Sequence, residues 1–152
     1  MEIAMALDEM NRALKARNDV AVGEGALDEA IDLAEAQLEV AFPPDVREYL
    51  RRFGHVEVGH LEFFGLGRGI PSYLDIVQVT TSERTETGCP LPKHLVPVLN
   101  DGGGNLYCAF SANARMSGIV LWDHEAGPDQ VPEPIASSLE AWFLDVLREL
   151  DA

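Results

Sequence analysis

The sequence has 152 residues, a length that fits one domain able to bury a core without a metal or a disulfide. It contains 26 acidic and 11 basic residues, so its formal net charge is -15. Such a field repels phosphate backbones and anionic lipid, which argues against nucleic acid and membrane as partners. No apolar run approaches the ~20 residues of a membrane helix, and the acidic N-terminus does not resemble a signal peptide, so we expect a cytoplasmic protein.

The first predicted element is an amphipathic helix over residues 1–18. Its apolar residues recur at helical spacing and form one stripe: Ile3, Leu7, Met10 and Leu14. Asn18-Asp19 and Gly23-Glu24-Gly25 interrupt the pattern, so we predict a helix and linker over residues 1–24 and a domain over 25–152. The helix either docks on a partner or a second copy, as in a homodimer, or packs on the core of its own chain.

A second amphipathic helix is predicted to begin near Ala26. Its inner face would consist of Leu27, Ile31, Ala34 and Leu38. Its outer face is acidic and contains no base of its own: Asp28, Glu29, Asp32, Glu35 and Glu39. This helix is either a docking face for a basic partner or simply a solvated surface.

The middle of the sequence predicts a third helix, a strand and one ambiguous segment. Prolines 43 and 44 open the helix, and Gly54 ends it. A strand is expected over Leu61 to Leu66, followed by a loop. Residues 73–87 fit a strand by propensity and a short helix by spacing, and we favour the helix.

The second half of the sequence predicts three strands and a closing helix. The strands are Pro97 to Leu99, Leu106 to Phe110 and Ile119 to Trp122, and the first two flank a glycine turn over residues 100–105. The helix should begin at Ser137, with Glu140 at capping-box spacing. This order predicts the α+β class, with a central antiparallel sheet of about four to six strands flanked by helices.

The residues that carry chemistry do not form a recognisable catalytic, cofactor or metal motif. The glycine turn lacks the lysine of a phosphate loop and the spaced acids of a calcium loop. Asp123, His124 and Glu125 are consecutive in a strand end, where neighbouring side chains point to opposite faces. The histidines and the two cysteines show no metal-ligand spacing. We therefore expect a protein that is not an enzyme, with no cofactor and no metal.

The order of the motifs resembles the SUKH superfamily, in particular its Smi/Knr-like branch. The resemblance rests on Phe42-Pro43-Pro44-Asp45, Leu61-Glu62-Phe63-Phe64-Gly65, the glycine turn and Gly118-Ile119-Val120-Leu121-Trp122-Asp123, and it covers roughly residues 26–150. It implies a non-enzymatic α+β domain, in bacteria typically an immunity protein that binds and neutralises a polymorphic toxin. Eukaryotic relatives look like regulators of cell-wall synthesis and signalling.

Three functions remain open at this point. The first is an immunity protein that binds a basic toxin domain, such as a nuclease, because an acidic surface can match one electrostatically. Its candidate partner-binding residues are Asp28, Asp32, Glu35, Glu39, Asp101, Asp123 and Glu125. The second is a regulatory scaffold for an endogenous protein partner, and the third is a small-molecule binder with a cleft near the glycine turn.

Overall fold

A computed structural model of the chain describes residues 7–152, and it confirms the α+β class. The α-helices in that range are α1 (Asp8–Lys15), α2 (Asp28–Leu38), α3 (Pro44–Phe53), α4 (Ile76–Arg84) and α5 (Leu139–Asp151). The strands are β1 (Val20–Val22), β2 (Val56–Val58), β3 (Leu61–Glu62), β4 (Leu95–Asn100), β5 (Leu106–Phe110), β6 (Ile119–Trp122) and β7 (Glu133–Ala136). All strands pair antiparallel, and they divide into a three-stranded sheet, β1-β2-β3, and a four-stranded sheet, β4-β5-β6-β7.

Helix α1 packs its apolar stripe against the rest of the fold. Leu7, Met10 and Leu14 are buried, while Ile3 lies outside the described residues. The backbone N–H of Met10 donates a 3.0 Å hydrogen bond to Oε2 of Glu140 on α5. Since the stripe is covered by the chain itself, the structure favours packing over docking for residues 7–15; the domain boundary after residue 24 stays a prediction.

Helices α2 and α3 follow the expected pattern with one correction at the start of α2. Ile31, Ala34 and Leu38 are buried, but Leu27 is 74% exposed, so the prediction that it belongs to the inner face is wrong. Leu27 is the N-cap residue, and its extended backbone turns the side chain away from the helical stripe. Helix α3 begins at Pro44 and ends before Gly54, which has φ +73°, as predicted.

The strand predicted over Leu61 to Leu66 is shorter than expected. Leu61 and Glu62 pair with β2, and the N–H of Phe63 still donates to the carbonyl of Val56 at 3.0 Å. The chain then leaves this sheet, so that the N–H of Phe64 donates to the carbonyl of Val98 on β4 at 3.0 Å. At Gly65 the backbone passes very close to the backbone of Gly54. A Cβ built on Gly65 would stand 2.0 Å from the carbonyl oxygen of Gly54. This crossing joins the two sheets.

The ambiguous segment is helical, as favoured from its spacing. A 3-10 turn over Ser72–Leu74 leads into α4, whose N-cap Asp75 accepts hydrogen bonds from the N–H groups of Val77 and Gln78. Ile76 and Thr80 are buried on the inner side of α4, and Thr81 is exposed.

The closing helix is capped one residue later than predicted. Ser138, and not Ser137, accepts the hydrogen bond from Ala141 N–H, and the Glu140 carboxylate reaches Met10 instead of completing a capping box. Trp142 is buried, and its ring centroid lies 5.7 Å from that of Phe63 and 5.4 Å from that of Tyr107. One indole ring therefore contacts residues of both sheet regions.

Candidate protein-binding surfaces

The acidic face of α2 is held by an arginine from the next helix. Arg47 on α3 donates from Nη2 to Oδ1 of Asp32 at 2.7 Å and from Nη1 to Oε1 of Glu35 at 3.1 Å, and Asp28 lies 4.0 Å away. The second carboxylate oxygen of Glu35 accepts from the N–H of Phe42 at 2.7 Å, which fixes the turn between the helices. The base that α2 lacks is thus supplied by α3.

Glu39 ends α2 in the left-handed region, at φ 57°. Nζ of Lys93 lies 2.6 Å from its Oε1 and, through that hydrogen bond first, holds the pKa of Glu39 below its usual value. The four carboxylates of this face that were predicted to bind a partner, Asp28, Asp32, Glu35 and Glu39, therefore each have a basic partner within the chain, whereas Glu29 forms no ion pair with the described residues. The face is less negative than its sequence suggests.

The glycine turn is an architectural hairpin between β4 and β5. Oδ1 of Asn100 accepts from the N–H groups of Gly102 and Gly104, and Oδ1 of Asp101 accepts from those of Gly103 and Asn105. These bonds use the side-chain oxygens that a calcium loop would direct at an ion. Within residues 7–152, no group of three or more His, Cys, Asp or Glu side chains is placed to hold a metal.

Asp123 and Glu125 lie in the β6–β7 loop, which is hydrogen-bonded to the glycine turn through His124 and Asn105. Asn105 Oδ1 accepts from the His124 N–H at 3.1 Å and lies 2.7 Å from His124 Nδ1. Asp123 Oδ1 accepts from the Glu125 N–H at 2.9 Å. The structure thus brings Asp101, Asp123 and Glu125 onto two joined loops, the turn surface, and within the described range none of these carboxylates forms an ion pair.

A groove of about 610 Å³ borders the turn surface, where the third function considered from the sequence expected a cleft near the glycine turn. Its walls come from four separate segments: the β2–β3 turn with β3, the 3-10 turn, α4 and the glycine turn. We call it the α4 groove. Its apolar lining consists of Leu61, Phe64, Leu74 and Val79, and its titratable lining consists of His60, Glu62, Tyr73, Glu83 and Asp101. Among the described residues that line it, none is Lys or Arg.

Two side chains of the α4 groove are energetically unusual. Tyr73 is 62% exposed, so most of its aromatic side chain is accessible to a partner. Burial, followed by the negative charge of Glu86, raises the pKa of Glu83 above its usual value, while His124 acts in the opposite direction. The free protein therefore presents an uncovered ring and a poorly compensated carboxylate in one concave surface.

A second groove, of about 580 Å³, lies beside the β5–β6 loop and has a different character. It contains Arg115 and the exposed Met116. Its one carboxylate, Asp45, already accepts from the N–H groups of Val46 and Leu139 at 2.8 and 3.2 Å. This groove lacks the uncompensated acids of the α4 groove.

The described residues thus combine an acidic α+β fold with two carboxylate surfaces and two open grooves. A family model described as SMI1-KNR4 cell-wall, SUKH_5, matches residues 3–148, and the chain therefore belongs to this family of the SUKH superfamily. The match includes α1, which precedes the region of the resemblance noted from the motifs. The family is generally non-enzymatic and implies protein–protein interaction.

Solved structures support the same fold. 17 of their chains match, and one is a crystal structure of a protein from Pseudomonas syringae pv. tomato, with a TM-score of 0.64 at 20% sequence identity. The alignment covers 95% of this chain and 96% of that one. A search of the curated proteins finds no match to the sequence. In the described part of the chain, none of the helices combines the length and apolar character that crossing a membrane requires.

Proposed function

We propose that this protein is a bacterial immunity protein that binds and neutralises a cognate toxin with a basic domain, such as a nuclease. The observation that carries the proposal is the net charge of -15 on a chain of this family, together with unpaired carboxylates on joined surface loops. A basic nuclease surface evolved to hold a polyanion, so an acidic protein surface can occupy it with fast, electrostatically steered association.

Two surfaces are proposed to contact the toxin. The turn surface offers Asp101, Asp123 and Glu125 without ion-pair partners in residues 7–152, so their charges are available to a basic partner. The α2 face offers Asp28, Asp32, Glu35 and Glu39, which must first exchange Arg47 and Lys93 for groups on the toxin. Exchange of one ion pair for another yields little net free energy, so the turn surface should contribute more.

The test is co-expression with the toxin domain encoded by the neighbouring reading frame, scored by cell survival and by the Kd of the purified pair. The substitutions Asp101→Asn, Asp123→Asn and Glu125→Gln remove three negative charges from the turn surface. Each new side chain still has an amide oxygen that can accept a hydrogen bond from the loop. We expect the Kd to rise by about tenfold or more, as for the loss of several interfacial ion pairs.

A matched control removes three exposed acids that form no ion pair in the described structure: Glu9→Gln, Glu24→Gln and Glu149→Gln. It has the same net charge as the turn variant, so equal weakening by both variants would mean that only the overall field matters. Failure of the unaltered chain to bind or protect against that toxin would contradict the immunity function.

A further inference from the structure

We propose that the α4 groove binds a segment of the partner that carries both Lys or Arg side chains and apolar side chains. The proposal rests on the proposed function and specifies the chemistry of the partner segment. It assigns a binding role to Glu62, Tyr73 and Glu83, none of which belongs to the turn surface or to the α2 face.

The charge of the lining argues for a basic occupant. Glu62, Glu83 and Asp101 stand around the groove, and within residues 7–152 none of them pairs with a cation, unlike the acids on α2. His60, the one histidine in the lining, is exposed. A cation entering the groove therefore meets carboxylates that form no ion pair within residues 7–152, and of these only Glu83 is influenced by a nearby histidine, His124.

The apolar lining indicates that the partner segment also contributes apolar surface, and not only positive charge. Leu61, Phe64, Leu74 and Val79 line the same concave surface as the acids. Lys and Arg side chains lay their methylene stems along apolar surface and direct the charged end to a polar rim, and this groove offers both parts. Tyr73, exposed at the edge, is suited to be an aromatic anchor that becomes covered on binding.

The state of Glu83 supports this assignment. Its raised pKa means that the free protein disfavours the charged form at this position. A bound ammonium or guanidinium group reverses that effect, so binding should draw the pKa of Glu83 down and release any proton it holds.

A second copy of this chain is a poor occupant, because each copy carries a net charge of -15 and would bring further acids to an acidic rim. The second groove is also a weaker candidate for a basic segment, because it contains Arg115 and its Asp45 carboxylate is already hydrogen-bonded. The occupant that fits the α4 groove is thus a basic protein segment.

The first experiment needs no toxin. The full chain, labelled with nitrogen-15, is titrated with an acetylated, amidated pentapeptide of alternating lysine and leucine, and with its counterpart containing glutamate in place of lysine. We expect amide shifts at Tyr73, Gln78 and Gly102 with the lysine peptide only. Equal responses to both peptides, shifts confined to other surfaces, or no shifts would overturn the proposal.

The second experiment uses variants in both the peptide and the toxin assays. Glu62→Gln with Glu83→Gln, and separately Tyr73→Ala, should each raise the Kd by about tenfold. The pair Glu9→Gln and Glu149→Gln is the control with the same charge change, and it should leave the Kd within about twofold. If the groove variants bind the toxin as well as the control does, the proposed role of the groove is wrong but the immunity function is not contradicted. If the peptide binds at the groove but the chain does not bind the toxin, the immunity function is contradicted and the role of the groove is not.

Discussion

Glu83 is a single residue whose ionisation should oppose folding. Its pKa is raised in the folded protein, so the folded state binds the proton more tightly than the unfolded state does, and the free energy of unfolding falls as pH rises through the region above 4.5. We therefore expect Glu83→Gln to raise the Tm at pH 7, with the gain disappearing below pH about 4, where both states are protonated.

Thermal unfolding of the Gln variant and the unaltered chain across pH 4 to 8 measures this difference. Glu149→Gln, which removes an exposed acid, serves as the control and should give a small, nearly pH-independent change. A Gln variant at position 83 that is less stable than the unaltered chain at pH 7 would contradict the assignment of burial as the main cause.

Gly65 is the residue at which the fold should tolerate a side chain least. A Cβ there would stand 2.0 Å from the carbonyl oxygen of Gly54 and 2.7 Å from Cβ of His55, so backbone must move. We expect Gly65→Ala to lower the free energy of unfolding by about 3 kcal/mol or more, as for severe overpacking.

Urea denaturation measures that loss, and Gly103→Ala is the matched control. A Cβ at Gly103 meets only Oδ1 of Asp101 at 3.5 Å, and this glycine does not have a positive φ. The control should change stability by about 0.5 kcal/mol or less. Similar losses at the two positions would show that the crossing near Gly54 can relax.

At the scale of elements, α1 should stabilise the domain through burial. Met10 and Leu7 are fully buried, so Met10→Ala should lower the free energy of unfolding by about 2–5 kcal/mol, with Lys15→Ala on the exposed side as control. Chemical denaturation measures the change, and size-exclusion chromatography measures any change of oligomeric state. Unchanged stability with loss of a partner or a dimer would instead assign α1 to docking.

The long amphipathic helices and strands β4, β5 and β6 could be predicted, because each repeats its pattern of apolar residues over several turns or pleats. Strands β1 and β2 contain three residues each, and β7 contains Pro134, so their patterns are too short or too irregular to stand out. Two predictions at helix starts were wrong: Leu27 was assigned to the inner face although it precedes α2, and Ser137 was assigned as the cap in place of Ser138. Cap geometry, and not periodicity, decides these boundaries.

For the molecule as a whole, the net charge predicts a salt dependence of partner binding. If a basic partner is drawn by the acidic field, its association rate should fall steeply between 50 and 500 mM salt, because screening shortens the reach of the field. Stopped-flow association at several ionic strengths measures this effect. A rate that does not change with salt would show that apolar contact, and not charge, brings the partners together.

The candidate surfaces were only partly predictable, because charge is visible in a sequence while its compensation is not. The acids on α2 could be seen as a periodic face, but their partners Arg47 and Lys93 lie on other segments. The sequence suggested a cleft near the glycine turn but not the other walls of the α4 groove, since Glu62, Tyr73 and Glu83 come from different elements and meet only when the 3-10 turn lies beside β3.

Because Arg47 lies on α3, the net charge of the α2 face depends on a residue outside α2, while the packing of α2 depends on its own residues. Replacing this one arginine, which lies on α3, would release Asp32 and Glu35 without altering any residue of α2. If α2 contacts the partner as proposed, a substitution outside that helix would change which basic partners are accepted while leaving the packing of Ile31, Ala34 and Leu38 intact.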